Sequence, residues 1–239
     1  DFTPDSSIYV VGADQKYHFD TLFKILKELG FYEDLHHMAY GMVRLPEGKM
    51  KSREGRVVLA DDLIDKTAEL AEVEVEKRHK LTKQALRERS RKIAVAAIKY
   101  KLLKMNMNRD MIFNPEEEID FEGDTGPYLL YSYARAASIL NKVKRRKQVK
   151  IVDLNPEEVR LIKKIAEFYD VVDKASKLLA PNLLANYTYE LAKSFNEFYH
   201  AHQVINSKEE GFRLQLVKSF KRMIGRCLSM LGIDVIEEM

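Results

Sequence analysis

The chain has 239 residues, 46% hydrophobic and 32% charged, with a net charge of +3 at pH 7. That balance excludes a disordered or fibrous chain and supplies enough apolar content for one large domain or two modest ones. Cys227 is the only cysteine, which excludes an internal disulfide and a Cys-rich zinc knuckle and suits a reducing cytoplasm.

No apolar run reaches the roughly 18–20 residues that span a bilayer, and no signal peptide is visible. The first residue, Asp1, lies in the lead-in to a strand, so the sequence is expected to be part of a longer chain. Ile8–Val11 reads as a short strand of buried type, ended by Gly12. Lys16–Leu29 reads as a helix with Phe19, Leu22, Phe23 and Leu26 on one face, stopped by Gly30. Tyr40–Leu45 is the next strand-like run. Residues 8–45 thus form a βαβ-like unit and imply a parallel sheet, although one such unit has too few strands for a complete doubly wound domain. Pro46-Glu47-Gly48 then turns into a loop carrying Lys49, Lys51, Arg53 and Arg56. Four cations over eight positions suit a site where phosphate charge develops during a reaction, but basic surface turns are common. Val57–Leu59 is a second apolar run, and Asp61-Asp62 opens an amphipathic helix.

From there the pattern is helical. Ile93, Ala96, Ala97, Tyr100 and Leu103 form a stripe at helical spacing. Asn114-Pro115 breaks the pattern and an acidic linker leads to Gly126. Pro127 sits at the start of the next helix, with Leu130, Tyr133, Ala134 and Ala137 on one face. Asn155-Pro156-Glu157-Glu158 is a helix start with a capping-box acid, and Ile162, Ile165, Ala166, Tyr169 and Val172 are expected to point inward behind it. Pro181-Asn182 opens a helix with Leu184, Thr188, Leu191, Phe195 and Phe198 as its stripe. Leu216, Phe220, Met223 and Cys227 mark the last. The residues after about 85 are therefore expected to form an all-α bundle.

The small net charge hides blocks. Residues 61–76 and Glu116–Asp124 are acidic, Lys142–Lys150 are basic, and Lys77–Lys104 carry eleven Lys or Arg against one Glu. Any one block reads first as a solvated helix face. Two long basic blocks in one chain favour a polyanion partner. At Gly12-Ala13-Asp14-Gln15-Lys16-Tyr17-His18, a glycine at the carboxyl end of a strand admits a ligand to the backbone, and a carboxylate with an amide can bind hydroxyls or an ammonium. Asp14 and Gln15 serve equally as helix caps, and His18 as a surface histidine. Adjacent His36 and His37 point to opposite faces of an extended segment and receive no role, and no metal site is expected.

Gly48-Lys49-Met50-Lys51-Ser52-Arg53 resembles the K-M-S-K-S loop of class I aminoacyl-tRNA synthetases, in the variant form of the arginyl enzymes. Phe121-Glu122-Gly123-Asp124-Thr125-Gly126-Pro127-Tyr128-Leu129-Leu130-Tyr131-Ser132-Tyr133-Ala134-Arg135 resembles the block that opens the arginyl enzyme's helical tRNA-binding domain. The ending, Leu231-Gly232-Ile233 out to Met239, is similar too. The resemblance implies a partial Rossmann-like catalytic segment over 1–84 and an all-α anticodon-binding domain over 85–239, mainly α in total. It implies an ATP or adenylate site of Gly12, Asp14, Gln15, His18, Gly41, Met42, Val43, Met50 and Ser52, with Lys49, Lys51 and Arg53 catalytic. Without gaps the family's S-K-S falls on Lys51-Ser52-Arg53, so the second signature lysine is displaced and either Lys51 or Arg53 replaces it. Gly41 would admit adenine to the backbone, while Met42 and Val43 fit a core strand equally well. For tRNA the resemblance and the charge pattern together nominate Tyr128, Tyr131, Arg135, Lys144, Arg145, Arg146, Asn196, Tyr199, His200 and Met239. Phe195 and Phe198 are assigned to the core.

No H-x-G-H sequence occurs, nor a G-x-x-x-x-G-K-[ST] phosphate loop, nor a G-x-S-x-G elbow. The expectation is the C-terminal part of a cytoplasmic, monomeric arginine–tRNA ligase that uses ATP with Mg2+, L-arginine and arginine tRNA as substrates and has no membrane partner. The alternatives are a non-catalytic RNA-binding module or another class I synthetase.

Overall fold

The computed structural model describes residues 4–44, 46, 59–78, 80–143, 148–149 and 153–239. Strand β1 (Ser6–Gly12) and β2 (Asp34–Tyr40) pair in parallel, with Ser6 opposite Asp34 and Gly12 opposite Tyr40. Helix α1 (Lys16–Glu28) makes the crossover, as the βαβ reading requires. It lays Phe19 and Phe23 against Tyr9, with ring centroids 5.2 and 5.5 Å away, and Phe19 stacks on His37 at 4.6 Å. The expectation of a fully buried strand is corrected here. Alternate strand residues face opposite sides, and among the described residues only the side beneath α1 is covered, leaving Ile8 46% and Val10 61% exposed.

The second strand of the unit is displaced as well, since β2 precedes the expected Tyr40–Leu45 run and meets it only at Tyr40. β2 stops at Tyr40, and β3 (Val43–Arg44) joins a different parallel pair with β4 (Met111–Ile112), a strand that the helical reading of this region misses. Gly41 sits at the break because a methyl group there would overlap the backbone of Arg109. Its N–H donates to the Met107 carbonyl at 2.6 Å. Met42 is exposed rather than in a core strand, and its N–H donates to Asp110 Oδ1 at 2.9 Å. Leu45 lies outside the described residues.

The helical body contains α2 (Ala60–Glu76), α3 (Lys83–Lys104), α4 (Pro115–Glu118), α5 (Gly126–Asn141), α6 (Pro156–Ala166), α7 (Phe168–Lys177), α8 (Pro181–Ala201) and α9 (Glu210–Met230). Helix α5 is central and packs on α3, α8 and α9. Every residue of the stripes expected on α5 and α8 is buried; on α3 all are buried except Leu103, which packs partly covered against the same core. Phe195 and Phe220 stack face to face at 3.8 Å, joining α8 to α9. Cys227 lies in this core, where burial pushes its thiol up to about 12.

One stripe is corrected. Ile165 and Val172 pack partly covered against the core as expected, but Ile162, Ala166 and Tyr169 are exposed, while Glu158, Leu161 and Phe168 are buried. Both sets fit a three-to-four spacing, but the inward face is rotated by one residue, so that Glu158 enters a buried ion pair beside the apolar Leu161 and Phe168. The Glu158 carboxylate accepts from the Asn155 backbone N–H at 2.9 Å, completing the capping box, and from Arg213 Nε at 2.8 Å. Burial raises the Glu158 pKa, but those donors outweigh it and hold the carboxyl below its ordinary value.

Arg213→Met should therefore cost about 3–5 kcal/mol at neutral pH, because it strands a buried charge. In the wild type, the contribution of a depressed carboxyl is present above the ordinary Glu value and is lost as pH falls through the lower folded value. In the variant the unpaired carboxyl is raised, so its penalty should shrink on acidification. Urea unfolding of both proteins across acid to neutral pH checks magnitude and sign.

Candidate functional site

Two regions collect the sequence-nominated residues. At the first, Gly12 and Tyr40 end parallel strands side by side, so Asp14, Gln15, His18, Gly41 and Met42 gather beyond the carboxyl ends of β1 and β2. That edge is where open parallel sheets receive ligands. A short 3-10 turn, Ala13–Gln15, links Gly12 to α1, and neither Gly12 nor Gln15 caps its helix through a side chain. The Asp14 carboxylate is exposed and, among the described residues, takes a 3.4 Å contact from Gln15 Nε2. His18 is exposed, with its ring edge-on to Phe19 at 5.3 Å. Val43 is half-buried in its pair with Met111. Lys49, Met50, Lys51, Ser52 and Arg53 lie outside the described residues, as do Lys144, Arg145 and Arg146.

The second region is a cleft of about 820 Å3 between α5, α8 and the segment after α2. Tyr128, Tyr131, Arg135, Asn196, His200 and Met239 all line it. Thr125 caps α5 by accepting from the Tyr128 N–H at 3.3 Å, fixing where the helix begins and so where its tyrosines point. The Arg135 guanidinium lies between two rings, 4.6 Å from the Tyr131 centroid and 4.8 Å from that of Tyr199. It also donates to Asn196 Oδ1. Asn196 Nδ2 in turn donates to the Tyr128 hydroxyl at 2.9 Å and to Ser132 Oγ at 2.8 Å. Asn196 is 7% exposed and both ends of its amide are engaged. It organises the wall, whereas Tyr199 and His200 are exposed. Burial raises the Tyr128 pKa and Asn196 partly offsets this, so the phenol stays neutral and available as a hydrogen-bond partner.

Sequence reasoning did not single out Arg78, Arg89, Phe121 or Lys193, which line the same cleft. Arg78 sits over the Phe121 ring at 4.3 Å. Phe121 opens the Phe121–Arg135 block and the arginines belong to a basic run, but their convergence comes from tertiary packing and leaves no local signal. A second hollow of about 570 Å3 adjoins the cleft and shares Arg89, Tyr131, Arg135 and Met239 with it. Cations exceed carboxylates in both linings, and aromatic rings are interleaved among them, which suits unpaired bases and phosphates.

Residues 2–115 match the family described as class I (R) tRNA synthetases, catalytic domain, and residues 129–239 match the DALR anticodon binding domain. The sheet edge therefore falls in a stretch of class I aminoacyl-tRNA synthetase type, and the helical body largely in that class's anticodon-binding domain. The arginine–tRNA ligase of Flavobacterium psychrophilum is 43% identical over 97% of this chain, and that of Bacteroides thetaiotaomicron is 40% identical over 98%. The Thermus thermophilus arginyl-tRNA synthetase structure covers all of the chain with a TM-score of 0.89 at 29% identity. The chain belongs to the arginyl-tRNA synthetase family. It spans 40% and 42% of the length of the two ligases and 42% of the solved structure.

Asn196→Ala should lower stability by about 1–3 kcal/mol, since it leaves buried polar partners unpaired. Tyr199→Ala, at an exposed position, should stay within roughly 1 kcal/mol of wild type. Chemical denaturation of the two variants separates the organising residue from the available one.

Proposed function

We propose that the complete protein is an arginine–tRNA ligase, which activates L-arginine with ATP and transfers the arginyl group to the terminal adenosine of arginine tRNA. This chain would hold the adenylate-facing half of the catalytic site and the anticodon-binding domain. The observation that carries the reading is the cleft itself, where six of the ten residues nominated for tRNA contact line one positively charged, aromatic hollow. Seven of its thirteen lining residues, from Tyr131 to Met239, lie in the range that matches the anticodon-binding family. At the sheet edge, Gly12, Asp14, Gln15, His18, Gly41, Met42 and Val43 would receive the adenylate, with Met50 and Ser52 from the loop. Lys49 with Lys51 or Arg53 would stabilise the departing pyrophosphate, an electrostatic role. Mg2+ would accompany ATP as part of the substrate.

We divide the chain at residues 84 and 85, with 85–239 carrying the RNA-binding surface. Core packing begins earlier, at Ala71 and Val75 of α2, so α2 and α3 couple the two parts. Among the described residues no helix is long and apolar enough to cross a membrane. A cytoplasmic monomer is the state we propose.

Without an H-x-G-H sequence, the 239-residue chain alone should give no arginine-dependent ATP–pyrophosphate exchange, with or without tRNA; measurable exchange by pure protein would refute the half-site reading. In the full-length ligase, Lys49→Ala and Lys51→Ala should each slow activation by about 2.7–4 kcal/mol while changing arginine affinity little. Pre-steady-state kinetics of these variants, with Arg53→Ala alongside, decides which cation replaces the displaced signature lysine.

The chain should still bind tRNA, and its affinity should fall linearly with salt on logarithmic axes. Neutralising Lys144, Arg145 and Arg146 together should flatten that slope for every tRNA, because phosphate contacts carry no sequence information. Tyr199→Ala should instead narrow the gap between cognate and non-cognate tRNA. Salt-independent binding, or none at low salt, would count against the helical body as an RNA platform and favour a protein-binding role.

A further inference from the structure

After α9 ends at Met230, Gly232 turns the chain at φ +67 and Ile233 N–H donates to the Leu228 carbonyl at 2.8 Å. Lys99 holds the Gly232 carbonyl from α3. Ile233 and Ile236 are buried and anchor the tail. Beyond them the Glu237 carboxylate accepts from the Tyr133 hydroxyl at 2.8 Å and from Lys221 Nζ at 2.7 Å. Lys221 Nζ also lies 5.1 Å from the centre of the Tyr133 ring, which closes a three-membered clasp. Glu238 is exposed and has no hydrogen bond or ion pair among the described residues. Glu237 is thus the last polar tie before Met239, which lines the large cleft and the adjoining hollow.

The clasp reaches across a helix. Tyr133 follows Tyr131 and precedes Arg135 by two positions each, so it leaves α5 on the side away from them. On that far side a groove of about 750 Å3 is lined by Tyr133, Lys221, Asp234 and Val235. The tail therefore runs from this groove, past the clasp at Glu237, to the adjoining hollow on the front, which Glu237 and Glu238 line together with Met239.

We propose that Glu237 is a positioning residue that seats Met239 in the wall of the RNA cleft, acting through Tyr133 and Lys221. This rests on the reading of that cleft as the tRNA site. The carboxylate is half-exposed, and such an ion pair contributes little to stability. Its value is geometric: three residues of tail beyond Ile236 have one orientation when the clasp is closed and many when it is open.

The test uses the 239-residue chain labelled with 13C-methyl methionine, with the Met239 resonance assigned through Met239→Leu. In the wild type that methyl should shift when arginine tRNA is added. In Glu237→Ala it should move to the position of an exposed methionine before any RNA is added and stop responding to it, while the Met223 resonance stays in place and reports an intact fold. tRNA affinity should fall to that of Met239→Ala, with no further loss in the double variant. Glu237→Gln, which keeps an acceptor for Tyr133, should recover part of both effects. An unmoved Met239 resonance in Glu237→Ala overturns the proposal. Arg135→Ala separates the two readings. If it leaves tRNA binding intact, the assignment of the cleft fails, while the RNA-free resonance still judges the clasp.

Discussion

The approach of α5 to α3 is the constraint on which the rest of the molecule depends. At Gly126 the first turn of α5 lies so close to the backbone of Ala96 and Ala97 that a single methyl group would overlap the Ala96 carbonyl. Ala96, Ala97 and Tyr100 present a small-residue surface with one large ring beside it, and the Tyr100 hydroxyl reaches Asp124 at 2.5 Å just ahead of the helix. Burial and then the Asp124 carboxylate push that phenol well above its ordinary range, so it serves as a permanent donor. Lys104 meets the same aspartate through its carbonyl and carboxylate at 2.5 and 3.3 Å. The start of α5 is thus fixed in position and in rotation before any of its outward side chains is considered.

Everything on the cleft side follows from that rotation. Tyr128, Tyr131 and Arg135 recur at spacings of three and four and so share one face. Tyr133, Leu130 and Ala137 fall on the others. Helix α8 meets the same helix from the side with Asn196, whose amide couples Tyr128, Ser132 and Arg135 into one network. Such networks fix a unique arrangement only when every member is satisfied, and here the amide has a partner at each end. A guanidinium held between two rings loses little further freedom on meeting a ligand, which is the benefit of preorganisation.

Much of this was legible in the sequence because it is local. Helix α5 announces itself through Thr125, Gly126, Pro127 and a clean apolar face, and the capping box at Asn155 through four consecutive letters. The βαβ unit follows from Gly12, the Phe19–Phe23 spacing and Gly30. The failures are all non-local. Strand β4 has two residues and exists because β3, more than sixty positions earlier, lies beside it. The inward face of α6 brings Glu158 to Arg213, which arrives from α9. Ile8 and Val10 have the composition of buried strand residues, but composition does not say whether the second face finds a partner. At the cleft, the block after Phe121 supplies one wall, while Arg78, Arg89 and Lys193 are indistinguishable in the sequence from any other surface cation until the fold brings them together.

The single thiol of Cys227 has a consequence of its own. It is fully covered by α9 and its neighbours, and burial leaves it almost entirely protonated at neutral pH. Thiolate is the species that reacts with electrophiles, so the native body is chemically silent at its centre even though the chain carries a free cysteine. Alkylation must wait for the helices to part. Because no other thiol competes, the speed of labelling counts how often the core opens, in the way that amide exchange does for a backbone. Anything that braces the α5–α9 contact from outside would then slow a chemical clock located some distance from where it binds.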